Sequence, residues 1–176
     1  NQIPDVMKKA VLAIEDDRFY HHGGVDYIGI LRAALHNLVS RNRQGASTIT
    51  QQLLKNNYFT TWTKEDTLLD SVNRKIQEQY LALEITKYYS KDEILLRYMN
   101  AINLGQNTLG VESASLRYFG KHCSDLTISE CAVIASITQN PTKYNPIRHP
   151  EENAKRRETC LNKMLELGFI SQAQYD

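Results

Sequence analysis

The sequence has little of what breaks or staples a chain. Only four prolines and eight glycines punctuate 176 residues, and no repeat, low-complexity tract or interdomain linker is visible. One domain spanning residues 1–176 is therefore the expectation, because a chain of this length can bury a core of its own. Three cysteines, Cys123, Cys131 and Cys160, stand far apart and form no C-x-x-C pair. An odd, scattered set excludes a complete disulfide framework and a paired-cysteine zinc site, leaving buried free thiols as the expectation. An excess of one charge is missing too: 21 Lys and Arg face 20 Asp and Glu. No global field draws the protein to nucleic acid, which is excluded as a partner, so any cationic site must be local. The longest apolar stretch, Cys131 to Ile137, is far shorter than the ~20 residues that cross a bilayer, and the first residues carry no signal-peptide pattern.

What is present is helical periodicity. Val6, Ala10, Ala13 and Ile14 line one face of a helix expected over 5–16, and Asp26 reads as the N-cap of a second running to about residue 40. Ser47 or Thr48 caps a third through Gln51, Gln52, Leu53 and Leu54. A long helix over 65–89 carries Leu68, Val72, Ile76, Tyr80 and Leu83, a stripe expected to face the core and leave Arg74, Lys75 and Glu78 on flanking faces. Shorter helices are expected over 91–101, 110–119, 129–137 and 150–167, with Ser90 capping the first, Ser129 or Thr127 the third, and Gly168 closing the last. No segment alternates strictly enough for a strand, so the fold class is all-α.

Three clusters carry chemistry. Glu15-Asp16-Asp17 closes the first helix, where the helix dipole disfavours negative charge. Such an end is commonly just a solvated face. Glu15, however, directly follows an apolar run, and a partly desolvated carboxylate suits a general base. Gln44-Gly45-Ala46-Ser47-Thr48-Ile49-Thr50-Gln51-Gln52-Leu53-Leu54-Lys55 gathers hydroxyls and amides at a helix start, a surface suited to sugar hydroxyls and to an anion, with an ordinary capped polar helix as the alternative. Lys55 lies about two turns beyond Ser47 and can share its face. Arg74-Lys75-Ile76-Gln77-Glu78 is either a surface ion pair or part of an anion site.

In this order and spacing the clusters resemble glycosyltransferase family 51, the peptidoglycan polymerases. The resemblance rests on Glu-Asp-x-x-Phe-x-x-His-x-Gly at Glu15 to Gly24, Gln-Gly-x-Ser-Thr-Ile-Thr-Gln-Gln-Leu at Gln44 to Leu53 and Arg-Lys-x-x-Glu at Arg74 to Glu78. It extends through Lys91 to Asn100, and through Ala132 to Pro146 followed by Arg156-Arg157.

The resemblance implies a helical domain with a lysozyme-like large lobe and a smaller membrane-facing lobe. It implies an activity that polymerises lipid II by inverting transfer of the growing glycan from polyprenyl diphosphate to the 4-hydroxyl of N-acetylglucosamine. By carry-over, Glu15 is the base and Glu78 the second essential carboxylate, which orients Lys75 or Arg74 or binds a divalent cation, Mg2+ or Mn2+; no organic cofactor is implied. Lys55, Arg74 and Lys75 would cradle the diphosphate. Phe19, Ser47, Thr48, Gln51 and Gln52 would shape the cleft and bind sugars or diphosphate. Asn100 and Glu112 match motif positions, with structural hydrogen bonding as the alternative. The implied partners are lipid II, the growing strand, the bacterial membrane and cell-wall synthesis proteins. The implied location is the outer face of the cytoplasmic membrane, with an anchoring helix upstream of Asn1. The phosphoglycolipid moenomycin is the implied inhibitor.

The sequence departs from the family pattern at Asp70, where relatives carry an arginine, at Asn103, where an aromatic is usual, and in a long 57–71 loop where Lys64 could supply a substitute cation. The rival readings are a glycan-cleaving lytic transglycosylase or lysozyme-like enzyme, which has no diphosphate to stabilise, and a catalytically silent precursor-binding scaffold.

Overall fold

The computed structural model describes residues 3–40, 45–58 and 68–176. Among them lie nine α-helices: α1 (Asp5–Glu15), α2 (Tyr27–Val39), α3 (Ile49–Tyr58), α4 (Leu68–Tyr88), α5 (Lys91–Ala101), α6 (Val111–Phe119), α7 (Ile128–Ile137), α8 (Pro150–Glu166) and α9 (Gln172–Tyr175). No strand occurs among these residues. The nearest approach to one is an isolated antiparallel bridge between Asn103 and Leu109. The all-α expectation holds, and Gln44 and Lys64 lie outside the described residues.

The helix ends follow from local chemistry. Thr48 caps α3: its hydroxyl accepts the Gln51 N–H at 3.2 Å, and the Gln51 side-chain oxygen accepts the Thr48 N–H at 2.9 Å. Ser90 and Glu93 make the same reciprocal pair at the start of α5, and Thr127, not Ser129, makes it with Glu130 at α7. Each pair satisfies amides that a helix start leaves without intrahelical partners. At the end of α8 the Gly168 N–H reaches the Leu165 carbonyl at 2.9 Å.

The chain divides into two compact units. The first comprises Asn1–Asp17 and Met99–Asp176. In it α1, α7 and α8 pack mutually. Helix α7 is apolar nearly all round and accordingly buries Cys131, Ala132, Ile134, Ala135, Ser136 and Ile137. Its one buried hydroxyl, Ser136, is satisfied by the Ala132 carbonyl at 2.7 Å. The fully buried Ala10 and Ala13 of α1 present little bulk to its neighbours. All three cysteines are free and buried. Burial pushes Cys123 up to about 11 and Cys131 and Cys160 up to about 12, so none is a thiolate nucleophile at neutral pH.

The second unit is Arg18–Tyr98. Here α3 packs on α4, with Val25, Leu54 and Ala82 forming a buried cluster against Ile30, Leu83 and Ile85. Gly24 makes this packing possible: its φ is +105°, and a Cβ there would lie 2.2 Å from the Ala82 carbonyl oxygen. The surrounding loop is tied down by Thr48, whose hydroxyl donates to the Gly24 carbonyl at 2.6 Å, and by Thr86, whose hydroxyl donates to the Gly23 carbonyl at 2.9 Å.

One expectation is overturned. Three residues of the α4 stripe do not face the core: Ile76 is 58% and Tyr80 62% exposed, and Val72 is exposed as well, whereas Leu83 packs against the buried cluster. Glu78, expected on a flank, is 2% exposed, and Ala82 one turn later is fully buried. The charged face of α4 turns inward because Glu78 brings its own counter-ions, Lys75 and Arg74, which lower the cost of burying a carboxylate. Helix α2 likewise leaves Tyr27, Ile28, Leu31, Leu35, Leu38 and Val39 exposed. Among the described residues no helix is long and apolar enough to cross a membrane.

Candidate active site

In the first unit the focus is Glu15, the last residue of α1. Its side chain is 7% exposed, and at a helix C-terminus it works against the dipole. Two donors from distant parts of the chain compensate. The Thr138 hydroxyl donates to Oε1 at 2.7 Å and an Arg156 guanidinium nitrogen donates to the same oxygen at 3.2 Å. Arg156 is held in turn by the Tyr144 ring, 5.0 Å from the guanidinium carbon to the ring centroid. The backbone of Tyr144 is fixed by buried Asn153 of α8, whose amide donates to the Tyr144 carbonyl at 2.8 Å and to the Val133 carbonyl at 3.2 Å.

The other first-unit candidates have structural roles in view. The side chain of Asn100 is exposed, and its backbone carbonyl lies where a Gly110 Cβ would come within 2.5 Å. Glu112 joins its own unit together, accepting the Cys123 N–H at 2.9 Å and pairing with His122 Nδ1 at 2.7 Å. That hydrogen bond and the negative charge of Glu112 raise the pKa of His122 above its usual value.

In the second unit the focus is Glu78. Lys75 Nζ lies 2.6 Å from its Oε1 and donates at 2.9 Å to Ser47 Oγ, while Arg74 approaches Oε2 at 3.7 Å. The motif at the start of α3 and the motif on α4 thus meet through one ammonium group. Lys55 is exposed on α3. Gln52 Oε1 accepts the Tyr98 hydroxyl at 2.9 Å.

Three residues expected to shape the cleft and bind sugars or diphosphate, Phe19, Thr48 and Gln51, are buried in this unit. Phe19 is 1% exposed and lies under the Lys91 ammonium, 4.2 Å from the ring centroid. Thr48 is buried, with its hydroxyl donating to one backbone group and accepting from another. Gln51 is buried in the cap, although its Nε2 finds no acceptor among the described residues.

Nearby, Asp26 is held in a partly buried site. Burial alone would raise its pKa, but the Gly29 amide and the Arg18 guanidinium outweigh it and hold the carboxyl below its usual range. Asp70, the departure on α4, is exposed.

Thr138 is the functional candidate that the sequence did not flag. It follows α7 as one more hydroxyl after an apolar helix, and no spacing rule connects residue 138 to residue 15. Arg156 carried a signal, the Arg156-Arg157 pair, but not a role.

The family model for transglycosylases matches residues 1–165. A Cupriavidus necator protein bearing the name transglycosylase is 44% identical over 175 residues, covering 99% of this chain and 73% of that protein. Penicillin-binding protein 1A of Escherichia coli is 46% identical over 177 residues, covering all of this chain and 20% of that protein. In the crystal structure of penicillin-binding protein 1A from Haemophilus influenzae, the matched region has a TM-score of 0.56 at 25% identity, covering 99% of this chain and 16% of that one. The chain therefore spans about three quarters of the first relative and about a fifth of the penicillin-binding proteins. It belongs to the transglycosylase family, the peptidoglycan glycosyltransferases of family 51.

Proposed function

We propose that this protein polymerises lipid II, transferring the growing glycan from polyprenyl diphosphate to the 4-hydroxyl of the acceptor N-acetylglucosamine with inversion. The supporting observation is the ammonium of Lys75, held by the buried carboxylate of Glu78 at 2.6 Å and by Ser47 Oγ at 2.9 Å. Such fixed cations suit a diphosphate leaving group, whose departing charge must be neutralised. Cleavage of finished glycan needs none.

In this reading Glu15 takes the proton of the acceptor hydroxyl. The acceptor oxygen then forms the new bond to C1, and the C1–diphosphate bond breaks on the opposite face. Lys55, Arg74 and Lys75 receive the leaving diphosphate. Glu78 acts through the two cations that it orients, since a bare carboxylate would repel phosphate. The exposed Ser47 hydroxyl remains suited to sugar or phosphate oxygens.

A divalent ion does not fit Glu78 well. Its carboxylate already serves Lys75 and Arg74, and no group of three metal-ligating side chains occurs among the described residues. No step is routed through a metal.

In this reading the protein works at the outer face of the bacterial cytoplasmic membrane. The exposed apolar rows on α2 and α4 suit contact with lipid, and the substrate's polyprenyl chain stays in the bilayer.

The test is polymerisation of purified lipid II by wild type, Glu15→Gln and Lys75→Ala, alongside incubation with finished peptidoglycan. Glycan strands from wild type, at least about a hundredfold fewer from Glu15→Gln, and no cleavage of finished strands are expected. Release of fragments from finished strands would establish the lytic reading. Wild-type rates from both variants would leave a binding scaffold contaminated by another polymerase.

A further inference from the structure

Thr138 follows α7 directly and is buried. Its hydroxyl has one hydrogen and two acceptors at the same 2.7 Å distance, Glu15 Oε1 and the Ala135 carbonyl. That carbonyl already receives the Thr138 backbone N–H at 3.3 Å. An ionised carboxylate is the stronger acceptor, so the hydroxyl donates to Glu15 whenever Glu15 is charged. The Arg156 guanidinium, braced by Tyr144, reaches the same oxygen. Two donors therefore converge on Oε1 from parts of the chain 123 and 141 residues away in sequence. The guanidinium sits at the end of a long side chain, whereas the hydroxyl is one atom from a backbone whose N–H is itself bonded.

Resting on the general-base reading of Glu15, we propose that Thr138 is a positioning residue for that base: its hydroxyl fixes one carboxylate oxygen and with it the direction in which the carboxylate meets the acceptor hydroxyl. During transfer the proton passes from the acceptor hydroxyl to the Glu15 carboxylate. The acceptor oxygen bonds to C1, and the electron pair of the C1–diphosphate bond leaves with the diphosphate. Thr138 keeps its own proton throughout. Once Glu15 is neutral the pull on that proton weakens and the Ala135 carbonyl can take it, so the hydroxyl is satisfied in both states. A misaimed base loses rate while substrate binding is unaffected.

The experiment measures kcat and KM for lipid II polymerisation by Thr138→Val, which keeps the shape and loses the hydroxyl, and Thr138→Ser, which keeps the hydroxyl. Glu15→Gln is measured alone and combined with Thr138→Val, and melting temperatures are recorded for all variants. Thr138→Val should lose about tenfold or more in kcat with KM within about twofold, since a charge-assisted hydrogen bond orients the reacting group. Thr138→Ser should recover most of that loss. On the residual turnover of Glu15→Gln, adding Thr138→Val should have no further effect.

Wild-type kcat in Thr138→Val, failure of serine to rescue, or an equal loss in both backgrounds would each overturn the positioning role. High turnover by Glu15→Gln alone would remove the base and this proposal with it, whereas an inactive Glu15→Gln beside a normal Thr138→Val would sink only the positioning role. If Thr138→Val does not fold, Thr138→Ala replaces it under the same thresholds.

Discussion

Lys75 Nζ lies 2.6 Å from Glu78 Oε1, one turn along α4, and the glutamate of that pair is 2% exposed while the lysine is 40% exposed. The asymmetry means that the carboxylate is structural ballast for a cation that remains reachable. Glu78→Gln should therefore lower stability by about 1–3 kcal/mol, the range for leaving a buried charged partner unsatisfied, moderated because water can solvate the lysine. Urea unfolding checks this, and a change under about 0.5 kcal/mol would show that the pair does little for the fold.

Gly24 carries the tightest backbone approach in the second unit. Gly24→Ala would place a methyl carbon 2.2 Å from the Ala82 carbonyl oxygen at a φ of +105°. A loss of roughly 3 kcal/mol or more is expected in thermal or urea unfolding, since backbone on both sides must move. A melting temperature equal to wild type would mean that the loop has another accessible position.

Gln106 and Asn107 both hold positive φ, +50° and +60°, in the turn between the bridged residues Asn103 and Leu109. Asparagine tolerates this region and glutamine does so less well. Gln106→Gly should raise stability by about 0.5–1 kcal/mol, with the relief of strain exceeding the entropy cost of glycine. A lower melting temperature for the variant would contradict it.

The pH dependence of His122 follows from its partner. Its folded-state pKa is raised by the hydrogen bond it donates to Glu112 and by that residue's charge. Stabilisation from the pair is complete below the unfolded histidine pKa, about 6.5, and is lost as pH rises through the higher folded value. His122→Gln should therefore lower the melting temperature more at pH 5.5 than at pH 9. Equal effects at the two pH values would deny the charged pair.

Moenomycin should engage the proposed cradle through its phosphate-bearing portion. Lys55→Ala, an exposed position on α3, should weaken inhibitor binding about tenfold, the scale of one charged hydrogen bond in a binding site. Unchanged affinity in a fluorescence-polarisation assay would place the cradle elsewhere.

The sequence by itself determined the helices, most of their caps, the buried thiols and the family. These depend on neighbours within about four residues or on motifs read in order: Thr48 with Gln51, Ser90 with Glu93 and Thr127 with Glu130 are each three apart and close the same ring wherever they occur. Tertiary structure alone decided which side of α4 was buried. Val72, Ile76 and Tyr80 have the spacing of a core stripe, but spacing shows only that a face is apolar and not what covers it. The protein's own core took Ala82 and the neutralised Glu78 instead. Tertiary structure also brought Thr138 and Arg156 to Glu15. No local rule reaches across more than a hundred residues, because such contacts exist only once α1, α7 and α8 have packed.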